Sequence, residues 1–273
     1  MASTNRSTAD PPRRTLVSFD EWAGDKQFAT TLARGLELLR CFTPEHPVQG
    51  NTDLARRTGL PKATVSRLTY TLVNLGYLSS NAQFGKFQLA PAVVSLGYPL
   101  LAAFKVRQLI RPAIREFSNI TGGSVSLGVR DRLNIVYVET SRSSSVFSSH
   151  LSDIGMSHPI IATAIGRAYL AACGTSERKQ LLNQIRLKTP QLWERHSRAA
   201  LKSVELFTKL GFVTSYRPLR PEAQAVAVPF RLSSYQDIVV MNCVLHVSQL
   251  RPNQLEEDIG PRLVSVVQGL NLV

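Results

Sequence analysis

The chain is poor in cysteine and has no long hydrophobic run. Its three cysteines, Cys41, Cys173 and Cys243, are odd in number and lie far apart in 273 residues, which argues against a disulfide framework and fits a reducing cytoplasm. No apolar run approaches the roughly 20 residues of a membrane-spanning helix. The N-terminus has no hydrophobic signal core. We therefore expect a cytoplasmic protein that has no membrane partner.

The sequence also lacks the common catalytic and metal-binding motifs. None of its five histidines stands in H-x-x-H or H-E-x-x-H spacing, and no C-x-x-C pair occurs. A nucleophile elbow, a P-loop and a Rossmann glycine pattern are missing too. His150, Asp153 and His158 are close in sequence and leave a hydrolase-like or metal constellation as an alternative to plain loop residues. We expect no catalytic residue, no metal site and no cofactor.

Acidic residues are scarce relative to basic ones. There are 19 Asp and Glu against 32 Lys and Arg, so the formal net charge is +13. Such a balance favours a polyanionic partner, with nucleic acid ahead of an acidic membrane surface. The excess is spread along the whole chain, however, and charge alone does not locate a binding surface. The positions of the motifs have to do so.

The first 90 residues divide into a polar arm and a helical segment that ends in a hairpin. Residues 1–25 are rich in Ser, Thr, Pro and Arg and indicate a flexible arm, either solvated or touching DNA through Arg13 and Arg14. Apolar residues at helical spacing predict a helix ending near Phe42. Thr52 is the predicted cap of a second helix over residues 53–58, and Gly59 separates it from a third over 62–75. With a hairpin over 77–89, residues 26–90 predict a winged helix-turn-helix.

The third predicted helix is amphipathic in an unusual way. Val65, Leu68 and Leu72 fall on one face, whereas the opposite face carries Arg67, Tyr70 and hydroxyl side chains without any acid. Small hydroxyls and arginine suit close approach to base edges, although an ordinary core helix with a polar back remains the alternative. The candidate DNA contacts are Thr52, Lys62, Ala63, Thr64, Ser66, Arg67 and Tyr70 on the helices, and Gln83 and Lys86 at the hairpin tip.

The remainder of the chain predicts a linker and a second domain. Residues 91–120 are expected to form a linker helix that is interrupted near Gly97–Pro99 and at Pro112. Residues 121–273 alternate between strand and helix patterns, which predicts a mixed α+β domain for effector binding and oligomerisation. The predicted elements are strands over 124–129, 135–138, 226–230 and 238–245, and helices over 162–172, 201–210 and 255–270.

Several segments resemble the IclR family of bacterial transcription regulators. Residues 29–39 resemble its opening, 53–68 its helix-turn-helix signature, and 75–78 and 87–90 its wing. Gly155, Pro159 and residues 162–168 resemble its effector-domain signature, and 211–212 and 226–229 match further landmarks. The resemblance covers about residues 26–271. It implies a winged helix, a linker helix and a GAF-like effector domain, in homodimers or homotetramers that repress or activate transcription at double-stranded operator DNA.

The resemblance also implies a small-molecule effector, commonly an organic or aromatic acid. A pocket between strand faces and the start of the 162–172 helix could hold a carboxylate on free backbone amides, unless those residues only pack together. Candidate residues are Leu127, Val129, Val138, Thr163, Ala164, Gly166, Tyr216, Val226 and Asn242. The sequence departs from the family at this pocket: no acid follows Phe212 before Glu222, and Ala225 replaces a usual cysteine. The alternative to an effector-regulated DNA-binding protein is an enzyme, or an assembly protein that uses the α+β domain without a ligand.

Overall fold

The computed structural model describes residue 22 and residues 24–81, 83–143, 152–216, 222–232 and 235–270, without the side chains of 232, 235 and 236. Nearly all of the predicted arm, including Arg13 and Arg14, and His150 of the alternative constellation lie outside the described residues. The chain divides into two compact units, Met1–Ala103 and Phe104–Val273. Each unit is described by itself.

The first unit is a winged helix-turn-helix, as predicted. Its three-stranded antiparallel sheet has the order β1-β3-β2. Strands β2 and β3 are the predicted hairpin, whereas β1 is an additional short strand that the sequence analysis missed. The elements are α1 (Thr30–Leu39), β1 (Gln49–Gly50), α2 (Asn51–Thr58), α3 (Lys62–Asn74), β2 (Leu78–Asn81), β3 (Lys86–Leu89) and α4 (Ala92–Ala103).

One apolar cluster holds α1, α2, α3 and the wing together. Its buried members are Leu38, Cys41, Phe42, Leu54, Val65, Leu68, Leu72 and Leu78. Between α2 and α3 the chain turns at Gly59, whose φ of 69° is a left-handed conformation that glycine adopts without strain. The tight turn fixes α3 against α2 and leaves the other side of α3 uncovered.

The predicted cap of α2 was wrong. The helix begins at Asn51, one residue before Thr52, and its N-cap is Gly50. The carboxylate of Asp53 accepts a hydrogen bond from the Gly50 backbone N–H at 3.1 Å. An acid in the first turn satisfies an amide that has no partner within the helix and also favours the helix dipole. Thr52 instead lies exposed in the first turn.

The predicted linker is two helices, and the break between them falls at Phe104. Pro99 lies inside α4 and Pro112 inside α5 (Lys105–Thr121). A helix tolerates an internal proline when the carbonyl four residues earlier can reach water, and Ser95 and Gln108 are both exposed. Among the described residues no single helix is long and apolar enough to cross a membrane; α4 and α5 reach that composition only as a broken pair.

The second unit is the predicted α+β domain. Its described strands form an antiparallel sheet of order β6-β5-β4-β9-β8-β7. The helix predicted over 201–210 is the second half of a longer helix, and the one predicted over 255–270 starts with a π-helical turn, Leu255–Ile259. After α5 the elements are β4 (Ser124–Asp131), β5 (Asn134–Arg142), β6 (Ser157–Pro159), α6 (Ala164–Ala172), α7 (Thr175–Lys188), α8 (Pro190–Leu210), β7 (Val213–Tyr216), β8 (Ala223–Leu232), β9 (Tyr235–His246) and α9 (Gly260–Leu270).

Helices cover both faces of this sheet. Helix α6 packs on β7, β8 and β9, with α8 behind it, whereas α5 packs on β4 and β5, and α9 on β8. Because side chains alternate along a strand, the register assigns each residue to a face. We call the side of Ala227, Val240 and Asn242 the α6 face, and the side of Leu127, Val226 and Met241 the α5 face.

Candidate functional site

Helix α3 presents a polar, cationic surface. Val65, Leu68, Thr69 and Leu72 are buried, which is the division of faces that the sequence predicted. Lys62, Ala63, Ser66 and Arg67 are exposed, Thr64 is half-buried, and Tyr70 is 73% exposed. Ser66, Arg67, Tyr70 and Thr71 line a shallow groove along this surface. Because α3 contains no acid, nothing on the helix opposes an approaching phosphate.

The two larger side chains of this surface keep their contact groups available. Among the described residues no hydrogen bond or ion pair engages the guanidinium of Arg67. The smaller neighbours bond within the helix: Thr71 donates to the Arg67 carbonyl at 3.0 Å, and Asn74 donates to the Tyr70 carbonyl at 2.8 Å. Arg67 and Tyr70 can therefore meet base edges without first breaking a protein contact.

The wing is tied to α2 by an ion pair that the sequence analysis missed. Lys86 Nζ lies 3.2 Å from Asp53 Oδ2, and Arg56 lies 3.3 Å from the other carboxylate oxygen. The Gly50 N–H, then Lys86 and Arg56, lower the pKa of Asp53 below its ordinary value. Asp53 therefore caps α2 and positions the wing lysine at the same time. Gln83 is exposed in the turn between β2 and β3.

The predicted effector residues do not line one pocket. Asn242 lies on the α6 face, and Thr163, Ala164 and Gly166 belong to the start of α6. Leu127, Val129 and Val226 point to the α5 face because they occupy the alternate positions of their strands. Tyr216 is 52% exposed and donates its hydroxyl hydrogen bond to Glu256. Val138 is the extra residue of a β-bulge opposite Leu127 and Gly128.

The start of α6 is closely packed, and one of its backbone amides already has a hydrogen-bond partner. Thr163 Oγ1 accepts a hydrogen bond from the Gly166 N–H at 3.3 Å and donates one to the Pro159 carbonyl at 3.1 Å. A Cβ at Gly166 would overlap the backbone of Ile160. The small residues of this turn therefore admit Ile160, and the close approach at Gly166 is a contact within the chain.

A polar cluster lies instead on the α6 face, around Asn242. Its Nδ2 donates to Tyr137 Oη at 3.0 Å, and the Tyr137 ring is 4.7 Å from the ring of His158. Ser126 Oγ and Thr140 Oγ1 are 3.0 Å apart on the neighbouring strands. We call Ser126, Tyr137, Thr140, His158 and Asn242 the Asn242 cluster. Of these, the sequence analysis named only Asn242 for the effector, and His158 for the alternative constellation, because the strand register that gathers the cluster was not visible.

Among the buried polar atoms without a hydrogen-bond partner in the described residues, one belongs to this cluster and another lies near it. They are Asn242 Oδ1 and the hydroxyl of Ser215, and the two residues are each 2% exposed. Ser215 pairs with Ala225, one row of the sheet away from Asn242 and Ala227, so only small side chains separate them. An unsatisfied buried group costs about 1–3 kcal/mol. A water or a ligand hydroxyl that bonds either atom would remove the cost for that atom.

Helix α6 itself carries a buried cation, Arg167. Arg167 is 6% exposed and donates from Nε to the Ile161 carbonyl at 3.0 Å. Burial lowers its pKa to about 10, so it stays charged at neutral pH. His196 of α8 is buried too, and burial, followed by the charges of Arg167 and Arg195, lowers its pKa to about 4. His196 is therefore neutral in the folded protein.

Stability is expected to fall with acidification because of His196. Its pKa in the folded state, about 4, lies below the ordinary value of about 6.5. The unfolded chain thus binds a proton that the folded chain does not, and stability present above pH 6.5 is lost as the pH falls towards 4, by on the order of 2 kcal/mol. Urea unfolding between pH 7 and 4.5 measures this. His196→Gln should flatten the slope, whereas His46→Gln, a half-exposed control, should not; equal slopes in all three proteins would contradict the assignment.

The described residues include all three cysteines, and Asp153 and His158 of the alternative constellation. They contain no group of three or more His, Cys, Asp or Glu that could hold a metal ion. Burial raises the pKa of Cys173 to about 11 and that of Cys243 to about 12, so these thiols stay protonated. Asp153 pairs with Arg142 at 3.0 Å, and His158 lies against Tyr137. These two members of the alternative constellation thus have structural contacts.

Together, the winged helix and the helix-covered α+β unit define the class of a two-domain DNA-binding regulator. Residues 31–82 match the IclR helix-turn-helix domain, and residues 99–264 match the C-terminal domain of bacterial IclR transcriptional regulators. The chain belongs to the IclR family, because the second match alone spans more than half of it. It is an IclR-type transcriptional regulator with an N-terminal DNA-binding domain and a C-terminal effector-binding domain.

Individual relatives agree with this assignment. The chain is 32% identical to the regulator TsaQ1/TsaQ2 of Comamonas testosteroni, over 88% of this chain and 86% of that protein. It is 25% identical to the Pca regulon regulatory protein of Pseudomonas putida, over 96% and 88%. An IclR family regulator from Brucella abortus superposes with a TM-score of 0.84 at 36% identity, over 94% and 97%. Both curated relatives are named as regulators.

Proposed function

We propose that this regulator binds a partly palindromic operator as a dimer, with one α3 in the major groove at each half-site, and that a small organic acid tunes the affinity. The observation that carries the proposal is the exposed, acid-free face of α3 beside a wing that Asp53 holds in place. A helix-turn-helix inserts such a face into the groove.

Within that complex the residues divide into two groups. Arg67, Tyr70, Ser66, Ala63 and Thr64 face the bases, where arginine pairs with guanine and apolar groups contact the thymine methyl. The others face the backbone, where cations, hydroxyls and amides fix the register of the protein: Lys62 at the start of α3, Thr52 on α2, and Gln83 and Lys86 in the wing.

Self-association is supported by α4. None of its twelve residues is buried, although it is almost entirely apolar. Val94 and Tyr98 are 74% and 66% exposed on one side, and Leu96 and Leu100 are 58% and 63% exposed on another. A helix that is apolar all round is ordinarily covered. A second copy of the chain covers it in the dimer, which would also set the distance between the two α3 helices.

The effector is assigned to the Asn242 cluster and Ser215 rather than to the mixed set of residues that the sequence predicted. The unsatisfied Asn242 Oδ1 accepts a hydrogen bond from a ligand hydroxyl or a protonated carboxyl group, and the Ser215 hydroxyl donates to a carboxyl oxygen. Between them stand Ala225 and Ala227, whose side chains are single methyl groups. Alanine in place of the usual cysteine at position 225 thus both removes a thiol and makes the side chain smaller.

Selection from a library of random duplexes at fixed salt tests the proposal. We expect enrichment of a roughly symmetric motif whose half-sites are one or more helical turns apart. Binding that merely weakens as salt rises, without enrichment, would contradict specific recognition. Repeating the selection with aromatic and aliphatic organic acids tests the effector, since a ligand that prefers one state shifts operator affinity by its differential affinity.

Replacing Arg67 with alanine is expected to weaken binding to the selected operator by about 1–3 kcal/mol, while binding to scrambled DNA changes less. The reason is that a base contact contributes only at the correct base. Fluorescence anisotropy with both duplexes measures the ratio of the two affinities. Lys62→Ala is the control, because loss of a phosphate contact should weaken both complexes equally. An unchanged ratio in Arg67→Ala would refute the base-reading role.

A further inference from the structure

Strand β5 connects the Asn242 cluster with helix α5 through a β-bulge. The register between β4 and β5 pairs Leu127 with Glu139 but Gly128 with Tyr137, so Val138 is an extra residue. In a regular strand, residues two apart share a face, but a bulge breaks this rule. Tyr137 therefore reaches Asn242 on the α6 face, whereas Glu139 reaches α5 on the opposite face.

Glu139 fixes one turn of α5 to the sheet. It is 5% exposed, and its Oε2 lies 3.1 Å from Arg107 and 2.9 Å from Arg111, with Arg111 Nε also bonded at 3.2 Å. The two arginines are four residues apart and hence neighbours on the helix surface. A single carboxylate that holds both defines the rotation and the axial position of α5. Because a buried ion pair often adds little stability over apolar packing, its directional geometry is what distinguishes this contact.

The backbone of Tyr137 is fixed as well, by two hydrogen bonds to the segment that precedes β6. Its backbone N–H donates to the Met156 carbonyl at 2.9 Å, and its carbonyl accepts from the Gly155 N–H at 2.8 Å. At its cross-strand partner, Gly128, a Cβ would overlap Ile135 Cγ2 and come within 2.6 Å of Ile165 Cδ1 on α6, so glycine is favoured there. A ligand that displaces the Tyr137 hydroxyl thus acts on the bulge, with α6 blocking movement towards its own side.

We propose that Glu139 is a positioning residue that transmits the state of the Asn242 cluster to α5 through the Val138 bulge. This inference rests on the proposed effector site. The chain continues from α5 into α4 with only Phe104 between them. A change in the rotation or axial position of α5 therefore displaces the chain at the end of α4, the helix that the proposed dimer shares.

Amide hydrogen exchange of the full chain, without DNA or ligand, tests the connection. Tyr137→Phe removes only the hydroxyl from the cluster, and we expect exchange in residues 105–121 to accelerate about threefold or more, with residues 260–270 unchanged. In a Glu139→Gln background, α5 should already exchange about tenfold faster, and Tyr137→Phe should add nothing further. Tyr169→Phe is the matched control, because it removes another buried hydroxyl that bonds Glu177 and Arg130 rather than β5.

Independent, additive effects of the two substitutions would overturn the proposal, as would a Tyr137→Phe variant whose α5 exchanges like the wild type. If Glu139→Gln does not fold, Arg111→Gln replaces it, since the Arg111 side chain is 58% exposed and more tolerant of change. Failure of the operator selection would leave this exchange result intact, and the reverse also holds. The two proposals therefore fail separately.

Discussion

Replacing Gly166 with alanine is expected to lower the free energy of unfolding of the effector-binding unit by about 3 kcal/mol or more. The added methyl group would overlap the backbone of Ile160, which cannot rotate away as a flexible side chain can. Relief requires α6 and the turn at Ile160 to move apart, and both belong to the buried cluster of this unit. Urea unfolding followed by the fluorescence of Trp193 on α8 measures the change.

Gly269→Ala provides the matched control for this experiment. It makes the same substitution within α9, where a Cβ would meet nothing within 4 Å. Since alanine is the better helix former, we expect a gain of up to about 1 kcal/mol. Equal unfolding curves for the two variants would show that the approach of α6 to Ile160 is looser than described.

Replacing Leu54 with alanine is expected to destabilise the DNA-binding unit by about 2–5 kcal/mol. Leu54 is fully buried and is the one buried residue of α2, so its loss leaves a cavity between α2 and α3. Small domains have only about 5–15 kcal/mol in total. We therefore expect a fall in melting temperature and, at 37 °C, a loss of operator binding that lower temperature restores.

Leu75→Ala separates this packing effect from a general loss of leucine. Leu75 is 61% exposed at the end of α3, and exposed substitutions usually change stability by less than about 0.5 kcal/mol. Differential scanning calorimetry of both variants should show the transition of the DNA-binding unit moving to lower temperature in Leu54→Ala alone. A Leu54→Ala protein that melts like the wild type would contradict the assigned core.

The DNA-binding unit was predictable because its signals are local. The faces of α3 follow from a 3.6-residue period, and Gly59 and the polar turn before Lys86 mark the boundaries. What escaped prediction depends on distant partners. Strand β1 has only two residues and forms by pairing with β3. Asp53 is equally suited to cap a helix or to pair with a cation, and only the fold shows that it does both.

The effector-binding unit was predictable in class but not in its site. Alternating apolar residues indicate strands, yet they do not say which face of the sheet a helix covers. Leu127 and Asn242 were grouped because both sit in strands, whereas the register separates them onto opposite faces. The bulge at Val138 shifts the alternation of side chains between the two faces within one strand, and no pattern in the sequence predicts it. Tyr137 and Glu139 were missed for that reason, and Ser215 was missed because only its pairing with Ala225 places it on the α6 face.

The exposed α4 has a consequence for how much of the regulator a cell retains. If a second copy covers this helix, the folded state gains free energy from association, and stability rises with the concentration of the chain. A newly made copy that meets no partner keeps an apolar helix open to proteases and chaperones. At a low concentration of the protein, a larger fraction of its copies would then be degraded. The number of occupied operators would therefore rise more steeply with the rate of synthesis than simple binding predicts.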